Sequence, residues 1–273
     1  MTQEICPVCA AESQALDVVD FNKSCEELNG TYLPLANVPI YYHLCDGCGF
    51  CFAPEMHKWS IDEFASKVYN DGYIAVDPDY VNSRPQNSAS NLNILFKNSE
   101  NISHLDYGGG SGLLSQFLRE KGWNSLSYDP FYDNDKRIEE LGTFDLITAY
   151  EVFEHVPDVK ALVNNLATLL NPDGIVIFST MLSDGIIARH QRLSWWYASP
   201  RNGHISLFSR NSLTRLLASE GFSLGSFSAG VHLMWRKQLP PWASHLIRPT
   251  NAASELPTPT PNRPGFLQRL FGR

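Results

Sequence analysis

His104-Leu-Asp-Tyr-Gly-Gly-Gly-Ser-Gly-Leu-Leu114 is the segment on which the architecture of this chain turns. Residues 104 to 107 read as a strand, Leu113 to Lys121 as a helix, and the glycines between them as a tight strand-to-helix junction. Such a junction gathers free backbone N–H groups and a helix N-terminus at one point, where a ligand can lie. Glycine tolerates positive φ angles and close approach, so Gly108, Gly110 and Gly112 mark where that ligand would rest on the main chain. Asp129 ends the next apolar run, Ser125-Leu-Ser-Tyr-Asp129, 17 residues after Gly112. A carboxylate there can accept hydrogen bonds from ribose hydroxyls.

Outward from this loop, apolar runs alternate with amphipathic stretches. Strands are expected at His104 to Tyr107, Ser125 to Tyr128, Phe144 to Ala149 and Gly174 to Thr180, with helices at Leu113 to Lys121 and Pro157 to Leu170. In the second helix Val159, Leu162, Val163, Leu166, Leu169 and Leu170 recur at helical spacing, with Pro157 suited to the first turn and Pro172 beyond the end. A helix from Asn211 to Ser219 and two β-like runs, Ser223 to Ser228 and Gly230 to Trp235, read as a closing hairpin at the sheet edge. The alternation predicts an α/β fold, a Rossmann-like doubly wound sheet. Residues 99 to 235 form this domain. Residues 59 to 98 read as a helical lead-in or lid, with helices near Ile61 to Tyr69 and Asn87 to Lys97, and residues 1 to 58 as a small cysteine-rich module. Beyond residue 235, seven of the chain's 17 prolines fall between Pro240 and Pro264, which predicts a disordered tail over 236 to 273.

The glycine loop excludes two familiar ligands. A dinucleotide fingerprint requires glycine at position 113, which is Leu113, and a phosphate-cradling loop requires a lysine after Gly112. What stands instead is D-x-G-x-G-x-G from Asp106 to Gly112, which resembles the first motif of the class I methyltransferases that use S-adenosylmethionine. The resemblance extends over about residues 99 to 225. Phe144-Asp-Leu-Ile-Thr-Ala-Tyr-Glu-Val-Phe-Glu-His-Val-Pro-Asp158 looks like the strand and loop of that family that close over the methionyl end, and Leu170-Asn-Pro-Asp-Gly-Ile-Val-Ile-Phe-Ser-Thr180 like its fifth-strand motif. The resemblance implies cofactor contacts at Asp106, Gly108, Gly110, Gly112, Asp129, Tyr150 and Glu151, the acidic Asp106 suiting a ligand with an ammonium and a sulfonium. Only 14 residues separate Asp129 from Phe144, too few for the helix, strand and loop that often supply the adenine contact.

Six cysteines, four of them in the pairs Cys6-Pro-Val-Cys9 and Cys45-Asp-Gly-Cys48, suit metal ligation better than a disulfide framework. The pairs lie 35 residues apart and supply four thiolates for a closed, structural tetrahedral Zn2+ site, with Gly49 allowing the turn behind the second pair. Cys51 continues the spacing of Cys45 and Cys48, which keeps an iron–sulfur site as a minor alternative, and Cys25 reads as structural. A module of this type in front of this fold resembles sugar C-methyltransferases and their relatives, whose additional C-terminal domain has no counterpart here, and also the ribosomal-RNA methyltransferases with an N-terminal zinc finger. Charge favours the first: residues 1 to 58 carry Lys23 and Lys58 against eight acidic side chains, a poor match for phosphates.

The expected activity is in-line methyl transfer to a small-molecule acceptor, possibly a sugar or glycan precursor, with no nucleic-acid partner. A zinc-finger RNA methyltransferase and a non-catalytic binding protein are the alternatives. Histidine is the natural base near neutral pH. His204, in Pro200-Arg-Asn-Gly-His-Ile-Ser-Leu-Phe208, is the first candidate, in a segment similar to the Glu-His loop of the sugar C-methyltransferases, with Gly203 where that family has glutamate. His155 is the second. Trp195, Trp196 and Tyr197 are candidates for an acceptor wall, and Tyr73 and Arg84 for a helix folded over the cofactor. The net charge of −8 and the absence of a long apolar run or a leader-like start predict a cytoplasmic protein. The tail reverses the charge balance, with Lys237, Arg248, Arg263, Arg269 and Arg273 against Glu255, and Phe266, Leu267, Leu270 and Phe271 share one face of a possible short helix. Weak contact with an anionic membrane surface or a protein is expected there.

Overall fold

A computed structural model describes residues 3–78, 83–96, 101–133 and 137–247. The chain runs β1 (Glu4–Ile5), β2 (Glu12–Asp20), β3 (Pro39–Cys45), β4 (Cys51–Phe52), α1 (Ile61–Lys67), α2 (Ser83–Leu95), β5 (Ser103–Tyr107), α3 (Leu113–Arg119), β6 (Asn124–Tyr128), β7 (Phe144–Ala149), α4 (Val159–Leu169), β8 (Leu170–Ser179), β9 (Ser206–Leu207), α5 (Arg210–Ser219), β10 (Ser223–Ser226) and β11 (Val231–Trp235). The larger sheet has the order β10-β11-β8-β7-β5-β6. Strands β6, β5, β7 and β8 are parallel, and β11 and β10 close the edge as an antiparallel hairpin. This is the expected Rossmann-like doubly wound sheet. The chain steps from β5 to β6 on one side and returns to β7 on the other, so a crevice opens at the carboxyl ends of β5 and β7.

The central strands are apolar because both faces are covered. Leu105, Leu146, Ile147, Ile175, Val176, Ile177 and Phe178 are all fully buried. Helix α4 starts two residues later than expected, at Val159: the Asp158 side chain accepts from the Ala161 N–H at 2.9 Å, which makes Asp158 the N-cap and leaves Pro157 outside the first turn. Its end also differs. The chain passes without a loop into β8 at Leu170, so Pro172 lies inside the strand, where the register with β7 slips. Gly174 makes that close approach possible, since a Cβ there would meet the Asp145 carbonyl oxygen at 2.9 Å.

The expected boundary at residue 58 does not isolate a satellite. The N-terminal sheet, β1-β2-β3-β4-β9, takes its last strand from the connection between β8 and β10 of the doubly wound sheet, with Cys51 opposite Leu207 and Phe52 opposite Ser206. Cys6, Val8, Cys45, Cys48 and Phe50 belong to one apolar cluster with Phe153, Phe178, Phe208 and Leu213. The Phe50 and Phe208 rings lie 5.0 Å apart. Part of the expected tail is likewise integral. Pro241–Leu246 forms a 3-10 helix, Ala243 is buried, and Trp242 packs 5.6 Å from Phe96 at the end of α2. The apolar-basic terminus from Phe266 to Arg273 lies outside the described residues. No described helix is long and apolar enough to cross a membrane.

Candidate functional site

The glycine loop rises from β5 over a buried polar stripe. Strand alternation puts His104 and Asp106 on one face of β5, opposite Ser125 of β6 and Thr148 of β7. The Thr148 hydroxyl donates to Asp106 Oδ1 at 2.8 Å, and His104 Nε2 lies 3.0 Å from the same hydroxyl oxygen. His104 Nδ1 lies 2.7 Å from Ser125 Oγ, whose hydroxyl donates to Ser115 Oγ at 2.9 Å. Burial holds His104 neutral, down to about 3. It pushes Asp106 up to about 7, with Thr148 opposing and the Asp129 charge adding. Gly108, Gly110 and Gly112 all lie in the left-handed region, at φ 73°, 54° and 78°. The Gly110 N–H donates to Asp129 Oδ2 at 2.9 Å, and the Phe131 N–H donates to Oδ1 at 2.8 Å. Gly109, which the spacing argument passed over, is as constrained: a Cβ there would reach Asp106 Oδ2 at 2.5 Å and overlap the Ser127 hydroxyl.

Across the crevice, β7 is followed by Tyr150 and Glu151. Glu151 adopts a left-handed φ of 54°, unusual for a residue with a side chain. Ser179 holds it there: the Glu151 N–H donates to Ser179 Oγ at 2.7 Å, and that hydroxyl donates to Glu151 Oε1 at 2.8 Å. Tyr150 and Glu151 line a half-open cavity of about 140 Å3 with Arg84, Asp77, Trp196 and His204 among its other walls. Arg84 makes a paired contact with Asp77, at 2.8 and 3.1 Å. Against burial, which acts to lower it, Glu151 and Asp77 hold Arg84 above its ordinary range. The lead-in thus supplies a wall of the cavity, and Tyr73 packs edge-on to Tyr69 at 5.1 Å. Of the three aromatics read as an acceptor wall, Trp196 and Tyr197 line the cavity, while Trp195 sits in the apolar cluster behind it.

His204 lines the cavity, and the His155 ring packs against it with centroids 4.8 Å apart. The loop that carries His204 is pinned from three sides. Arg201 donates to the Val68 carbonyl at 2.8 Å, Asn202 Nδ2 donates to the Val76 carbonyl at 2.9 Å, and the Cys25 N–H donates to Asn202 Oδ1 at 2.9 Å. Gly203 closes the turn at φ 86°, so the position where glutamate would stand in the resembled loop has a left-handed backbone that favours glycine. Burial depresses both histidines, His204 strongly. Glu154 is fully buried and accepts the Tyr197 hydroxyl at 2.6 Å. Cys25, read as structural, lines the cavity, and burial pushes its thiol up to about 12.

The sulfurs of Cys6, Cys9, Cys45 and Cys48 lie within 4.8 Å of one another. Cys6 and Cys48 are 3.6 Å apart and Cys9 and Cys45 3.4 Å, close to the edge of about 3.8 Å in a tetrahedron of zinc–sulfur bonds. The Gly49 N–H donates to the Cys45 carbonyl at 2.7 Å in a left-handed turn with φ 77°. Cys51 is buried in a different apolar cluster, outside this group, which removes the spacing argument for an iron–sulfur site. The donor set and its geometry fit zinc.

Residues 80–226 match a family model described as a methyltransferase domain. Among curated proteins, the chain is 31% identical over 100 residues to the ubiquinone biosynthesis O-methyltransferase of Colwellia psychrerythraea, covering 28% of this chain and 41% of that protein. It is 32% identical over 120 residues to the protein of the same name from Idiomarina loihiensis, covering 33% and 49%. The matched stretch spans less than half the length of these two relatives. Among solved structures it is similar to the 1,6-didemethyltoxoflavin-N1-methyltransferase of Burkholderia thailandensis with S-adenosylhomocysteine, with a TM-score of 0.43 and 19% identity over 71% of this chain and 96% of that one. The magnesium protoporphyrin IX methyltransferase of Synechocystis gives a TM-score of 0.43 and 16% identity over 64% and 97%.

Proposed function

This chain belongs to the methyltransferase-domain family, and on that premise we propose that it transfers the methyl group of S-adenosylmethionine to an oxygen of a small-molecule acceptor. The observation that carries the reading is the hydrogen bond of the Gly110 N–H to Asp129, which joins the left-handed glycine loop to the end of β6, while Tyr150 and Glu151 after the neighbouring β7 line a cavity that also holds His204. The left-handed glycines and the side-chain-free position at Gly109 form a cradle that a Cβ would fill, and they fit the cofactor's methionyl and ribose parts. Asp129 would receive the ribose hydroxyls on the lone pairs its two backbone contacts leave. Asp106, Tyr150 and Glu151 would border the methionyl end, where carboxylates suit an ammonium and a sulfonium. When bound, the cofactor supplies an electrophilic methyl carbon, so the chain has only to align the acceptor and manage its proton.

Trp196 and Tyr197 give the cavity a flat aromatic border that suits a ring-bearing acceptor. His155 and His204 are the groups that meet the acceptor oxygen. Each would present a lone pair on Nε2 to a hydroxyl proton, directly or through an electrophile that both hold. An oxygen acceptor is supported by the names of the curated relatives and by Gly203, which removes the carboxylate of the Glu-His loop associated with carbon acceptors. The four clustered cysteines are proposed to hold one structural zinc. Calorimetry with S-adenosylmethionine and S-adenosylhomocysteine, followed by a labelled-methyl screen of catechols, phenols and nucleotide sugars, tests the reading. Saturable cofactor binding and labelling of a hydroxylated ring are expected. Absence of cofactor binding overturns it.

A further inference from the structure

We propose that Glu154, His155 and His204 form a divalent-cation site behind the part of the cavity wall that His204 supplies, with one carboxylate oxygen and two imidazole nitrogens as ligands. Their ligand-capable atoms lie within 4.8 Å of one another. His155 Nδ1 donates to the Gly203 carbonyl at 3.2 Å and His204 Nδ1 donates to the Tyr197 carbonyl at 2.8 Å. A neutral imidazole that donates from Nδ1 keeps its lone pair on Nε2, and a backbone carbonyl behind the ring is the usual support of a metal-binding histidine. Glu154 completes the set. Its Oε1 accepts the Tyr197 hydroxyl, while Oε2, on a fully buried side chain, has no hydrogen-bond partner among the described residues. Two imidazole lone pairs and Oε2 therefore converge, beside the Tyr197 hydroxyl already committed to Oε1 and the buried Thr180 hydroxyl. An electrophile satisfies all three.

The charge balance points the same way. Arg84, the cationic side chain of the cavity wall, is engaged by Asp77, which leaves Glu151 and Glu154 as the further carboxylates of this corner. Two imidazoles and one carboxylate select Mn2+, Fe2+, Co2+ or Zn2+ over Mg2+ and Ca2+, which prefer oxygen. With three protein ligands the ion keeps open positions, so an acceptor hydroxyl that coordinates it becomes more acidic and releases its proton to water. The inference rests on the methyl-transfer reading for what the ion does, but not for whether it binds.

The probe is Mn2+, which does not compete for the four thiolates. Full-length protein carrying its zinc is titrated with Mn2+ and free ion is followed by electron paramagnetic resonance, with cofactor affinity measured on the same sample. One saturable Mn2+ per chain is expected, weakened more than about tenfold in Glu154→Gln and in His204→Gln. Pulsed resonance of the wild-type complex should show coupling to imidazole nitrogen, a readout that needs no variant to fold. No saturable Mn2+, no nitrogen coupling, or undiminished binding in both variants overturns the site. Cofactor binding without Mn2+ binding removes the site and leaves the methyltransferase reading standing; the converse removes only the latter.

Discussion

The amide of Gly110 donates to Oδ2 of Asp129 across 2.9 Å, so the turn of the glycine loop and the carboxylate at the end of β6 are one unit. The same carboxylate receives the Phe131 N–H on its other oxygen. Asp129 is therefore an organiser of the loop as well as a proposed ligand contact.

Asp129→Ala should release both amides and remove the ribose acceptor together. Each hydrogen bond to a charged group contributes roughly 1.5–3 kcal/mol, so S-adenosylmethionine affinity is expected to fall on the order of 100-fold, with Asp129→Asn intermediate. Calorimetry checks the order of the three proteins. Equal affinity in wild type and Asp129→Ala would remove Asp129 from the site.

Cofactor affinity should rise with pH up to about 7 and then level off. Burial holds Asp106 protonated below that value in the free protein, and a ligand bearing an ammonium favours the ionised form. Binding at pH 6 therefore requires release of a proton, and above about 7 it does not. Asp106→Asn should give weaker binding with a flat profile between pH 6 and 8. A profile in the wild type that is already flat over this range contradicts the assignment.

Acid should destabilise the fold well before the carboxylates protonate. Burial pulls His57 down to about 4, His104 to about 3 and His232 to about 4, while in the unfolded chain each titrates near 6.5. Between those values the unfolded chain binds protons that the folded chain refuses, so stability is lost as pH falls from about 6.5 toward 4, at about 1.4 kcal/mol per pH unit for each histidine. Asp106 works against this trend, because its raised folded value favours the folded state at low pH. Urea unfolding at pH 5 and 7 should show His57→Gln losing less than wild type by up to about 2 kcal/mol. An equal loss in both proteins would mean that His57 is solvated.

Removing zinc should melt the whole protein in one step. Cys6, Cys45 and Cys48 pack in the cluster that contains α4 and α5 residues, and β9 ties the N-terminal sheet to the loop bearing His204. Chelation, or Cys45→Ser, is expected to lower the midpoint of a single transition seen alike by far-ultraviolet dichroism and tryptophan fluorescence. Two separate transitions would show that the module folds by itself. Metal analysis giving no zinc in the purified protein would refute the four-cysteine site.

The doubly wound sheet was legible because its signals are local. Buried parallel strands read as continuous apolar runs, α4 repeats its apolar residues at helical spacing, and the junction from Asp106 to Leu113 needs glycine to turn. The two C-x-x-C pairs were legible for the same reason: each knuckle is a short turn. Pairing of the knuckles, by contrast, spans β2 and β3 and is settled only by their register.

What the sequence by itself determined is which residues can turn, bury or ligate: the glycine loop, Asp106 and Asp129, the four cysteines and the two candidate histidines. What only the tertiary structure decided is their company. Strand register brought Thr148 of β7 to bridge His104 and Asp106, Glu154 became a neighbour of His204 across a 50-residue separation, and Cys51 was carried away from the other thiols by a strand whose partner is β9. Residues 241 to 246 joined the body because Trp242 and Ala243 found Phe96 and its cluster. Their proline content, which predicts a loose chain, says nothing of a distant apolar surface. Periodicity and spacing report each segment's own preferences, whereas a contact between segments depends on how the chain closes on itself, and no local pattern records that.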